Sequence, residues 1–220
     1  MEVYKTEEEQ VQAIKQWWKE NAVSLIAGVV IGLAVLGGYR FWTDMKHNQA
    51  QQASVLYSKV LASDNDKANI VETLKSDYSG TPYAALAVLL IAKDHVNANE
   101  PEKAVTQLKW VVENNHDEGV QHIAQQRLAR LYVSQNNLEA AEALIKGIKV
   151  SGFSASYNEI RGDINLAKKL SVQAKENYRL ALAALTQGDK RYAIIKMKLD
   201  DLAQAKTDVA TTGNKPTEVK

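Results

Sequence analysis

The chain has 220 residues, with 27 Lys and Arg against 26 Asp and Glu and a formal net charge of +1, and its sequence holds no basic run of the kind that nucleic-acid binding normally needs. It contains no cysteine, which excludes disulfides, thiolate metal sites and cysteine nucleophiles. Its length is enough for a terminal segment plus one domain with a real core.

Residues 1–21 form a polar tail with five Glu (Glu2, Glu7, Glu8, Glu9, Glu20) against three Lys (Lys5, Lys15, Lys19). Eighteen residues without a charge follow, from Ala22 to Tyr39. A helix rising ~1.5 Å per residue carries such a run across roughly 27 Å, close to the hydrocarbon core of a bilayer. Only a helix satisfies its own backbone there. Trp17 and Trp18 precede the run and Phe41 and Trp42 follow it, where interfacial aromatic rings belong. A transmembrane helix over residues 22–42 is expected. The leading segment is acidic, the apolar run is longer than a secretory core, and bulky Tyr39, Arg40, Phe41 and Trp42 follow Leu36-Gly37-Gly38. A retained anchor is expected, not a cleaved signal. Lys5, Lys15 and Lys19 on one side against Arg40 and Lys46 on the other leave its orientation open.

Ser24, Gly28 and Gly32 fall four apart, so they share one helix face on which a second transmembrane helix can pack closely. Before the span, Glu7-Glu8-Glu9 followed by Val11, Ile14 and Trp18 reads as an amphipathic start with a solvated acidic turn.

Beyond the span, apolar residues recur at helical spacing and no strand pattern emerges, so residues 43–206 are expected to be all-α. Thr81-Pro82 marks a helix start, with Thr81 as cap and proline at the first helical position, and the helix runs over Tyr83 to Val96. Pro101 opens another that reaches about Glu113. The helices pair, and the pairs repeat. Ala104, Ala141 and Ala174 each have a small residue twelve positions upstream (Ala92, Ala129, Gly162) and apolar residues four and seven positions downstream (Leu108 and Val111, Ile145 and Ile148, Tyr178 and Ala181). The units are spaced by 37 and then 33 residues, bracketing the ~34-residue period of tetratricopeptide repeats. Small residues let the helices of a pair approach, and bulky ones fill the gap to the next. Gln51 to Tyr78 supplies one more, irregular pair. Lys190 to Ala205 reads as a capping helix with Tyr192, Ile195, Leu199 and Leu202 on one face. Residues 207–220 are polar and unpatterned, hence a disordered tail. The expected fold is a single N-terminal transmembrane helix followed by a tetratricopeptide-like solenoid.

In such a solenoid the first helix of each pair lines the concave face, which puts Leu89, Lys93, Gln126, Arg130, Glu159 and Asp163 inward as a protein-binding surface. Nothing comparable supports chemistry. His116 and His122 are six apart, off the helical spacing of a zinc motif, with no third ligand in sight. Gly152-Phe153-Ser154-Ala155-Ser156 stops short of a nucleophile elbow and lacks the strand one needs. No phosphate loop occurs. No catalytic, metal-binding or cofactor-binding residue is expected, and no cofactor.

The first residues carry a further pattern. Met1-Glu2-Val3-Tyr4, Glu7-Glu8-Glu9-Gln10-Val11, Ala13-Ile14-Lys15, Trp17-Trp18 and Asn21 lead into Gly28-x-x-x-Gly32 and Gly38-Tyr39-Arg40-Phe41-Trp42. This string, followed by degenerate helical repeats, closely resembles the YfgM family, ancillary subunits of the bacterial SecYEG translocon. The resemblance implies a bacterial inner-membrane anchor with a cytoplasmic N-terminus and a periplasmic repeat domain. It implies partnership with the translocon and with a PpiD-type membrane chaperone, which makes either one a candidate neighbour for the Gly28 face. It also implies help to unfolded exported proteins, and a link from the N-terminal tail to a cytoplasmic stress-response regulator. The expectation is a non-enzymatic, chaperone-like adaptor. The alternative is a structural scaffold joining inner-membrane or envelope complexes without client binding.

Overall fold

The computed structural model describes residues 7–62, 66–115, 117–186 and 188–212, with side chains as far as residue 202, and no strand occurs among them. The chain divides into two units, Met1–Gln52 and Ala53–Lys220.

All of the first unit that is described is helix, part of α1 (Glu7–Ala62). Its first turn holds Glu7, Glu8 and Glu9, where negative charge suits the positive end of the helix dipole. The helix runs beyond both ends of the expected 22–42 span. Polar side chains in it turn back to the backbone: Asn21 Nδ2 donates to the Trp17 carbonyl at 2.9 Å, and Thr43 Oγ1 to the Arg40 carbonyl at 2.8 Å. That lets small polar residues sit in an apolar helix with their donors satisfied.

In the second unit, Ala53 and Val60 near the end of α1 are fully buried. There follow α2 (Lys67–Asp77), α3 (Pro82–Asn97), α4 (Pro101–Asn114), α5 (Glu118–Ser134), α6 (Leu138–Ile145), a 3-10 turn (Ser151–Phe153), α7 (Ser154–Ala167), α8 (Ser171–Ala183) and α9 (Arg191–Thr212). Helices α3 and α4, α5 and α6, and α7 and α8 form three successive pairs, and α5 also packs on α7. Helix α9 packs on α8 and continues to Thr212, into the stretch expected as a tail. Residues 213–220 lie outside the described residues.

The start signals hold with one difference. Prolines do open α3 and α4. Thr81 stands at the α3 cap position with extended backbone, but its hydroxyl donates to the Tyr78 carbonyl at 2.8 Å and caps nothing. Among the starts of α2 to α8, the side chains that cap are Asp117, accepting from Val120 N at 3.0 Å, and Asn137, accepting from Ala140 N at 3.4 Å.

The repeat is also written in the backbone. Five residues before each aligned alanine stands a residue in the left-handed region: Asn99 (φ 59°), Asn136 (φ 57°) and Lys169 (φ 62°). Around each, the same six-residue closure forms, from Glu100 N to His95 O, Asn137 N to Tyr132 O and Leu170 N to Asn165 O, all at 2.8 Å. This motif satisfies carbonyls that the end of a helix leaves open and reverses the chain into the second helix of the pair. The repeat is therefore one backbone turn used three times.

Packing follows the alignment. Ala92, Ala104, Ala129, Ala141 and Ala174 are buried, as are Leu108, Val111, Ile145, Tyr178 and Ala181. Ile148 falls beyond the end of α6, which stops at Ile145. Arg161 of α7 covers that short end, its Nη2 donating to the Ile148 carbonyl at 2.9 Å. Gly162 of α7 faces the Tyr178 ring of α8 so closely that a Cβ there would lie 2.4 Å from it. On α9, Ile195 is buried and Leu199 and Leu202 are half-buried against Ala174, Tyr178 and Ala181. Tyr192, expected on that face, is instead exposed, and its neighbour Arg191 makes the inward contact, with Nη1 2.5 Å from Ser156 Oγ.

Candidate functional site

Two surfaces carry the expected site residues. On α1, Ser24 is exposed, and a Cβ added at Gly28 or Gly32 would meet nothing within 4 Å. Trp17, Trp18, Phe41 and Trp42 are all exposed, with the Trp42 ring 6.4 Å from Tyr39 and the Lys46 ammonium 6.0 Å above it. The apolar window of α1 is unburied, and the helix is long and apolar enough to cross a membrane. In water, this much apolar surface would be an aggregation hazard.

The six residues expected on the concave face fall into two groups. Leu89, Gln126 and Glu159 are buried. Gln126 Nε2 finds no hydrogen-bond partner among the described residues. Lys93 is exposed, and Arg130 and Asp163 are partly so. Near the C-terminal end, the inward acids are taken by α9. Lys198 Nζ lies 2.9 Å from Glu159 and 2.8 Å from Asp163. Burial disfavours the Lys198 charge, but hydrogen bonds and attraction from Asp163 and Glu159 outweigh it and hold the ammonium above the usual lysine range. Tyr178 donates its hydroxyl to Asp163 at 2.8 Å. Burial first, and then the Asp163 charge, push that phenol far above its ordinary range. Glu159 and Asp163 thus anchor the capping helix, a role that spacing alone did not suggest.

The open part of the face lies between α3 and α5, where a cavity of about 450 Å³ is lined by residues including Ala92, Lys93, Val96, Leu108, Arg130 and Leu131. Arg127, which spacing missed, also lines it, and its Nη1 donates to the Leu89 carbonyl at 3.4 Å. Arg130 Nη2 lies 3.4 Å from Glu159. Lys93 and Arg130 both line this groove, whereas Asp163 does not and is engaged by α9.

No group of three or more His, Asp or Glu side chains able to hold a metal occurs among the described residues. His116 lies outside them. His122 is engaged in the core, its Nδ1 2.7 Å from the Tyr157 hydroxyl.

Stacked helix pairs with a recurring left-handed turn define a tetratricopeptide-like repeat protein, here preceded by an apolar helix. A family model described as a tetratricopeptide repeat-like domain matches residues 15–204, spanning the apolar helix as well as the repeats. The chain is 31% identical to the ancillary SecYEG translocon subunit of Escherichia coli (strain K12), over 92% of this chain and 100% of that protein. It is 30% identical to the subunit of the same name from Haemophilus influenzae, over 89% and 97%, and 29% identical to that from Neisseria gonorrhoeae, over 92% and 100%. No solved structure is a significant match. The chain belongs to the family of ancillary SecYEG translocon subunits.

Proposed function

We propose that the chain is a single-span subunit of the bacterial inner membrane that works beside the protein exporter, with its N-terminus in the cytoplasm and its repeat domain in the periplasm. The Ser24, Gly28 and Gly32 face of α1 packs against a helix of the translocon or of a PpiD-type chaperone. The concave face of the repeats meets exported proteins before they fold. The observation that carries this reading is the full-length match to proteins named as ancillary translocon subunits, which takes in the apolar helix and the repeats together. A membrane anchor suits weak capture, because holding a binder beside the exit raises its effective concentration without tight binding. A link from the acidic tail to a cytoplasmic stress-response regulator follows from the resemblance of the first residues.

Co-purification tests the span. With Gly28→Leu and Gly32→Leu together, recovery of the translocon with the full chain falls several-fold; unchanged recovery removes this face from the account. The absence of native cysteine makes orientation directly measurable. Single cysteines at Glu8 and at Lys93, probed in intact spheroplasts with a membrane-impermeant maleimide, label at residue 93 only if the repeats are periplasmic. The scaffold alternative predicts that full-length protein in lipid discs leaves the aggregation of an unfolded protein unchanged.

A further inference from the structure

The groove between α3 and α5 has an electrostatic character that the repeat pattern does not require. Its mouth and floor are apolar: Val96 is 48% exposed, and Leu108 and Leu131 lie beneath. Three cations, Lys93, Arg127 and Arg130, line the same cavity. The acids nearby are committed elsewhere. Asp94 pairs with Lys67 at 2.8 Å, and Glu159 is held by Lys198 at 2.9 Å, leaving Arg130 a longer 3.4 Å contact. Lys93 makes no ion pair among the described residues, and the hydrogen bond of Arg127 goes to a neutral carbonyl. Two cations are thus uncompensated and a third is partly so, beside apolar surface. A cavity of about 450 Å³ lies within the usual range for a ligand site, roughly 300–1,000 Å³.

We propose that this groove takes an extended polypeptide segment, setting a large apolar side chain on Val96, Leu108 and Leu131 and an adjacent carboxylate among Lys93, Arg127 and Arg130. The complementarity is of two kinds at once. The apolar side chain gains by leaving water, and the carboxylate finds a charge-assisted partner that its surroundings have not already neutralised. Lysine-rich apolar segments are rejected by the same charges, so the site discriminates among unfolded chains. The proposal rests on the reading of the repeats as a surface for exported chains, and adds which segments they select.

Binding is measured by fluorescence anisotropy with the full chain in lipid discs at low salt. The probes are three end-blocked labelled peptides of the same length, each with two Phe and two Leu, carrying two Asp, two Asn or two Lys between them. The expected result is that the Asp peptide binds at least tenfold more tightly than the Asn peptide and that the Lys peptide is weakest. Lys93→Glu, which breaks no ion pair among the described residues, abolishes the preference while the thermal midpoint is unchanged, and Lys93→Gln reduces it by part. Equal binding of the three peptides, no binding of any, or an Asp preference that survives Lys93→Glu overturns the assignment. Self-association that is lost on Lys93→Glu, with no peptide preference, gives the groove to a second copy instead and also overturns it. None of these outcomes touches translocon co-purification, which reads the span, so failure of the groove and failure of the broader function stay distinguishable.

Discussion

The ring of Tyr178 occupies the space that a Cβ on residue 162 would need: the gap is 2.4 Å to Cε1 and 2.5 Å to Cδ1. Tyr178 is fully buried and its hydroxyl is fixed on Asp163, so the ring cannot move aside cheaply. Gly162→Ala therefore forces α7 and α8 apart and costs about 2–3 kcal/mol, in the range of core overpacking. The check is thermal denaturation, and the same substitution in a Tyr178→Leu background costs measurably less, because the two sites share one space.

The three pair-closing turns differ in one residue. Asn99 and Asn136 tolerate the left-handed conformation, while Lys169 at φ 62° holds it without that advantage. Lys169→Asn stabilises the chain by about 0.5 kcal/mol, and Asn136→Val, with a branched side chain, destabilises it by about 1–2 kcal/mol. Chemical denaturation of both variants gives the comparison.

Alkaline pH weakens the core in a defined window. Burial pushes the Tyr157 phenol from 10.0 up to about 12. A folded pKa above the unfolded one means the contribution is complete below pH 10 and is lost as pH rises through 12. The loss amounts to about 3 kcal/mol once both states are ionised. Tyr157→Phe removes that part of the decline. At neutral pH it costs about 1–2 kcal/mol, because the hydroxyl's contacts with Gln125 at 3.0 Å and with His122 at 2.7 Å are gone. Unfolding free energies measured from pH 8 to 12 test both statements.

Helix α9 is secured by a charge among acids. Lys198→Met leaves Glu159, whose side chain is 10% exposed, with only the 3.4 Å contact to Arg130. The substitution costs about 2 kcal/mol, less than for a fully buried pair because Lys198 is partly solvated. Limited trypsinolysis reads this out as faster cleavage at Lys196 and Arg191.

Much of this architecture is readable in the residues. The charge-free run from Ala22, the prolines at 82 and 101 and the recurring small residues mark the span, two helix starts and the repeat, because each acts through local geometry. The recurring turn went unseen because two asparagines and a lysine share a backbone conformation and not a chemistry. The candidate face was readable in outline only. Repeat geometry says which side of a helix faces inward, but it does not say that Lys198, far along the chain, occupies Glu159 and Asp163. Nor does it say that Arg127 turns into the groove beside Lys93 and Arg130.

Photo-crosslinking in living cells, from a light-activated residue at position 28 or at position 93 of the full-length chain, tests the translocon-side account most directly. The account predicts that position 28 captures a membrane helix of the translocon or its associated chaperone, and that position 93 captures exported proteins only while export is under way. Crosslinks from position 28 to lipid alone, together with an export-independent pattern from position 93, would contradict it.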